Sequence, residues 1–145
     1  FSNNRPFHPE RLHQACKNNL GTGLYRTKGF IWIASRPEHA LLWQQSGSHI
    51  SLEIKGRWRA EVIKNKDGNL LPEEIEGLKK QLMEEHPIFG DRYNELTLIG
   101  LKKDREAFLL SLDEALCTDK EIDAWIAGES FIDPWPTKLL SLELD

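Results

Sequence analysis

With 145 residues, 39% hydrophobic and 29% charged, the chain is long enough for one domain to bury a core without metal or disulfide staples. Its two cysteines, Cys16 and Cys117, make no disulfide framework and fit a reducing, cytoplasmic setting. The net charge of −4, the lack of a membrane-length apolar run and the absence of a Lys/Arg stripe on any helix argue against membrane and nucleic-acid partners.

The run Arg5-Pro6-Phe7-His8-Pro9-Glu10-Arg11-Leu12 reads as an extended segment turning into a helix. Pro6 holds Arg5 extended, and Pro9 suits the first helical position with His8 as N-cap. A first helix follows from Pro9 to about Asn18, with Leu12, Cys16 and Leu20 on one face. Asn19 to Gly23 is a turn cluster. Leu24 to Ser35 reads as a strand with apolar residues on both faces, hence a central one. A second strand covers Ala40 to Gln45. A third covers His49 to Lys55, with Ile50, Leu52 and Ile54 expected inward. Gly56 is expected to turn the chain, Arg57-Trp58-Arg59 to add a short extended continuation, and residues 64–70 to form a polar loop.

A helix is expected after Pro72, striped by Ile75, Leu78 and Leu82, interrupted at Gly77 and ended before Pro87. Glu95 to Leu101 is a further strand. Asp104 is expected to cap a helix that turns Phe108, Leu112, Ala115 and Leu116 to the core. Thr118-Asp119-Lys120-Glu121 has the form of a capping box opening a last short helix through Trp125 and Ile126. Asp133-Pro134-Trp135-Pro136 stops helical structure, and a Leu-rich tail follows Lys138. Layer packing then gives an α+β fold: a mostly antiparallel sheet of four to five strands with helices on one face. Residues 1–145 read as one domain, with 61–89 a variable insertion containing a helix and 137–145 a tail. Charge divides along the chain: residues 1–66 carry 11 Lys and Arg against 4 Asp and Glu, and residues 67–145 carry 8 against 19. Such an asymmetry marks either a partner-binding face or a basic sheet complemented by acidic helices.

No G-x-x-x-x-G-K-[ST] occurs; Gly21-Thr22-Gly23 lacks the Gly-Lys-Ser/Thr that would cradle phosphates, and in Asn65-Lys66-Asp67 the aspartate falls one place early for a guanine-reading motif. No nucleotide or other cofactor is therefore expected on this segment. His8, His13 and Cys16 lie close enough in sequence to reach one zinc, against a reading in which Cys16 is core, His8 caps and His13 is solvated. Asp113-Glu114 and Glu84-Glu85-His86 read as solvated helix charges, and Ser35 and Ser46 have no partner histidine, so no catalytic residue is assigned. Of five tryptophans, Trp43 and Trp58 fall near strand ends, where they can form either core or a partner-facing patch.

Several blocks, in order, resemble the CobW C-terminal domain. They are the Arg5–Leu12 run, Lys28-Gly29-Phe30-Ile31-Trp32-Ile33-Ala34-Ser35-Arg36, Trp43 with Gly47, and Gly56-Arg57-Trp58. Gly90-Asp91-Arg92-Tyr93-Asn94-Glu95-Leu96-Thr97-Leu98-Ile99-Gly100, Leu112–Thr118 and Asp133-Pro134-Trp135-Pro136 complete the set. The family strand commonly reads Glu-Leu-Val-Phe-Ile-Gly, where this chain has Thr97 and Leu98 in place of Val and Phe. The resemblance implies a non-catalytic partner domain cut from a longer polypeptide, docking on a P-loop GTPase domain and on a metalloprotein client. GTP, magnesium and a transition metal, zinc or cobalt, would belong to the full-length metallochaperone. Interface candidates are Arg5, His8, Arg11, Lys28, Arg36, Trp43 and Trp58. The alternatives are an independent metal-binding module on His8, His13 and Cys16, or a small stand-alone hydrolase.

Overall fold

The computed structural model describes residues 1–20, 23–64, 70–136 and 141–143. Most of the expected 64–70 loop, Gly21 and Thr22, the Asn65-Lys66-Asp67 motif and the first part of the tail lie outside the described residues. Eleven elements occur among those described. They are β1 (Ser2–Asn3), α1 (Pro9–Asn19), β2 (Leu24–Ile31), β3 (His39–Ser46), β4 (His49–Arg57), α2 (Arg59–Lys64), α3 (Pro72–Glu85), β5 (Asn94–Gly100), α4 (Lys102–Ala115), α5 (Asp119–Ile126) and β6 (Ser141–Glu143). The strands form one antiparallel sheet in the order β1-β5-β2-β3-β4-β6. The fold is α+β as expected, with the short strands β1 and β6 added at the two edges.

One face of the sheet carries Ile31, Leu41, Trp43, Ile50, Leu52 and Leu96, which pack with Leu12, Ala15 and Cys16 of α1 and Phe108, Leu112 and Ala115 of α4. Trp43 lies across from Gly29, and a Cβ at Gly29 would overlap the carbonyl oxygen of Glu95 on the next strand. Glycine here lets β5 approach β2 closely while the indole takes the space above. The Trp43 Nε1–H donates to Thr27 Oγ1 at 2.6 Å, which satisfies its polar atom inside the core. A second cluster of Trp32, Ala34, Phe89, Cys117 and Ile122 is flanked by Trp58, Trp125 and Phe131. Within it the Arg92 guanidinium lies 5.4 Å from the Trp32 ring centre and 5.5 Å from that of Trp125, and donates to Glu61 at 2.9 Å.

Several local expectations change. The ladder of β2 ends at Ile31, and the amide of Trp32 donates to the Asn94 side chain at 2.8 Å. The strand is central, yet its outer face is not apolar throughout: Arg26 and Lys28 alternate with buried Thr27. Gly56 does not turn the chain; it pairs with Ala40 inside β4, next to a register shift at Ala40/Leu41. Ile54, expected inward, is 56% exposed. Arg57 does continue β4, paired with His39, but the strand ends there and Arg59 opens helix α2. Gly77 leaves α3 unbroken, although only Leu82 of that helix is buried. Asp104 does not cap α4: Leu101 is the N-cap, and Asp104 sits in the first turn, packed where Gly23 has no side chain. Thr118 does form a capping box with Glu121.

Candidate interface: an internal brace and the open face of the sheet

The Arg5–Leu12 run is built into the centre of the molecule. Phe7 donates its amide to Trp32 O (3.1 Å) and accepts from the amide of Ala34 (3.0 Å). On the other side the amide of His8 donates to Ala115 O (2.8 Å), and the amide of Cys117 donates to Pro6 O (2.9 Å). Pro6 and Pro9 have no N–H to satisfy, so the run can lie buried between the end of β2 and the end of α4 with its remaining groups paired. Phe7, wholly buried, stacks on Phe1 with ring centres 5.8 Å apart.

Three of the expected interface arginines are spent inside this brace. Arg5 bonds the carbonyl of Cys117 (3.0 Å) and the carboxylate of Asp119. Arg11 donates through Nε to Glu114 O (3.0 Å), through Nη2 to Leu116 O (3.1 Å), and through both Nη atoms to Glu121. Arg36 holds Asp133 at 2.8 Å and the carbonyl of Trp135 at 2.8 Å, with Ser35 Oγ donating to the same carboxylate at 2.7 Å. The planar guanidinium fork suits such multiple docking, which fixes α5 and the Asp133–Trp135 segment against the body. Hydrogen bonding from Arg11 holds the Glu121 carboxyl down at about 2 against the opposing cost of burial. Burial raises the Asp133 carboxyl, but hydrogen bonds from Arg36, Ser35 and the Trp135 amide outweigh it and leave the group below its ordinary value.

The histidines and Cys16 do not assemble into a metal site. His8 is the N-cap of α1, its Nδ1 accepting from the Arg11 amide at 3.5 Å, while Nε2 lies 3.6 Å from Glu121. Burial and the nearby Arg11 lower its pKa. His13 packs edge-on against Trp135 at 5.0 Å. Cys16 is completely buried, and burial raises its thiol far above the ordinary value, so the thiolate a metal needs is disfavoured there. Among the described residues no group of three or more His, Cys, Asp and Glu side chains can hold a metal ion. His8, His13 and Cys16 therefore do not fit zinc. The other sequence candidates are also structural: His86 Nδ1 accepts from the amides of Ile88 and Phe89, and Glu85 pairs with Arg59 at 2.8 Å.

Trp43 cannot join Trp58 in a surface patch, because it is fully buried in the main core. Trp58 is half-buried against the second cluster, and its indole N–H has no hydrogen-bond partner among the described residues. Lys28 is different. It is exposed on the sheet face opposite α1 and α4, in register with Thr97 on β5 and Gln44 on β3. Arg26, not among the interface residues expected from the sequence, lies two residues before it on the same face, beside Ile99 and Ser46. With His49 and Ser51 these residues line an open concavity of about 620 Å³. Strict alternation in β2 was the available signal: once Thr27, Gly29 and Ile31 face the core, Arg26, Lys28 and Phe30 must face outward.

The family model of the cobalamin synthesis protein cobW C-terminal domain matches residues 1–116, and the chain belongs to that family. A Mycobacterium tuberculosis protein named as a zinc chaperone is 32% identical over 135 residues, covering 93% of this chain and 33% of its own length. Zinc-regulated GTPase metalloprotein activator 1 of Dictyostelium discoideum is 36% identical over 138 residues, covering 90% of this chain and 27% of its own. The chain thus spans about a third of the length of these relatives. The crystal structure of the Zn(II)-bound YjiA GTPase from E. coli matches 88% of this chain and 27% of its own at 18% identity and a TM-score of 0.44.

Proposed function

We propose that this chain is the non-catalytic C-terminal partner domain of a GTP-dependent metallochaperone, docking on a P-loop GTPase domain in the same polypeptide and serving a metalloprotein client. The observation that carries the reading is the match of the cobW C-terminal domain family over residues 1–116. The relatives' names favour zinc over cobalt as the metal of the full-length protein. GTP and magnesium would be held by the GTPase domain. The seven interface residues expected from the sequence reduce to Lys28 and the partly exposed Trp58, because the others are buried or tied into the brace.

Purified full-length protein should hydrolyse GTP and bind zinc, while the present chain alone binds neither nucleotide nor zinc at micromolar concentration in calorimetry. GTP hydrolysis by the isolated chain, or none by the full-length protein with GTP, magnesium and zinc present, would overturn the reading.

A further inference from the structure

We propose that the open face of the sheet is the docking surface for the GTPase domain, and that it receives an acidic, convex element of that domain across Arg26 and Lys28. This rests on the partner-domain reading above. Most of the chain's well-placed cations are already committed: Arg5, Arg11, Arg36, Arg59 and Arg92 each form an ion pair with a carboxylate of the same chain. Arg26 and Lys28 make no ion pair or side-chain hydrogen bond with any residue whose side chain is described, and both point to the same side of the sheet.

The ground around them is shaped for contact. Neutral polar side chains, Gln44, Ser46, Ser51 and Thr97, form the floor of the concavity. Two large apolar side chains stand at its margins, Ile99 56% exposed and Phe30 40% exposed. An apolar rim around uncompensated cations calls for a partner with carboxylates set in apolar surroundings. Alternate residues on a strand place Arg26 and Lys28 about 7 Å apart, close to the spacing of two carboxylates one turn apart on a helix.

Charge also fixes the orientation. Glu95 and Glu53 flank Phe30 and Leu42 in the neighbouring row of the same face, so one end of the surface is cationic and the other anionic. Phe1 is held at the edge of β5, where its carbonyl accepts from Leu96 N at 2.9 Å. A domain joined ahead of Phe1 emerges at the β1–β5 edge of the sheet, which borders this face.

The test uses the full-length polypeptide, treated with a zero-length carbodiimide crosslinker, mixed with an isotope-labelled copy and read by mass spectrometry. Lys28 is expected to link to carboxylates of the GTPase domain within one polypeptide. Arg26→Glu should cut the yield of those links about tenfold, and Arg26→Lys should restore most of it. Links from Lys28 only to Glu53 or Glu95, links to the labelled second copy, or none at all would each overturn the docking surface. Loss of GTP hydrolysis in the same preparation would instead count against the partner-domain reading. Hydrolysis with no interdomain link removes only the surface proposed here.

Discussion

Glu121 does two jobs at once. It closes the capping box of α5 through the Thr118 amide and receives both terminal nitrogens of Arg11. Replacing it with glutamine keeps the shape and removes the charge, so Glu121→Gln should cost about 1–3 kcal/mol in urea unfolding at neutral pH. The sign of its pH dependence follows from the lowered pKa. Its contribution is complete above the ordinary value of 4.5 and is lost as pH falls through the folded value of about 2. His8, also lowered, adds an earlier loss below its ordinary 6.5, because the folded state favours the neutral ring. Acid unfolding curves of the two proteins should therefore converge toward pH 2; a constant gap across that range would show that the Glu121 charge contributes nothing. The capping box was legible from Thr118 and Glu121 alone, three residues apart. The Arg11 partner was not, because it comes from more than a hundred residues away. Asn94 carries the same lesson: wholly buried, it bridges the Trp32 amide and the carbonyls of Asn3 and Arg5, and nothing local marks it.

At the scale of elements, the strands and long helices follow from periodicity and proline placement, which are local signals. Helix α2 does not, and the reason is its cap. The amides of Arg59 and Ala60, which open the helix, donate to the carboxylate of Asp91 at 2.8 and 3.1 Å. The orphan donors of this helix are thus satisfied from the turn ahead of β5, and no Ser, Thr, Asp or Asn precedes the helix in sequence. Asp91→Ala should lower stability by about 0.5–2 kcal/mol, and faster amide exchange should be confined largely to residues 59–63. Uniform loss of protection across the sheet would mean that Asp91 supports more than this one turn. The same logic explains Asp104, which looks like a cap but lies inside α4, where a first-turn carboxylate still complements the positive end of the helix.

Across the whole molecule, the ends of the chain close the structure together. Trp135, only 3% exposed, fills the core between α1 and the sheet, and its Nε1–H donates to the carbonyl of Pro9 at 3.0 Å. The family match stops at residue 116, yet the core does not. Trp135→Ala should cost about 3–5 kcal/mol and lower the urea midpoint accordingly; a loss below about 1 kcal/mol would show that the segment only rests on a finished core. The dependence also has a temporal side. During synthesis the run bearing Phe7 and Leu12 leaves the ribosome more than a hundred residues before Trp135 can reach it. For that interval its apolar face has no lid, and the nascent chain exposes there the surface most open to a chaperone, or to a neighbouring nascent chain.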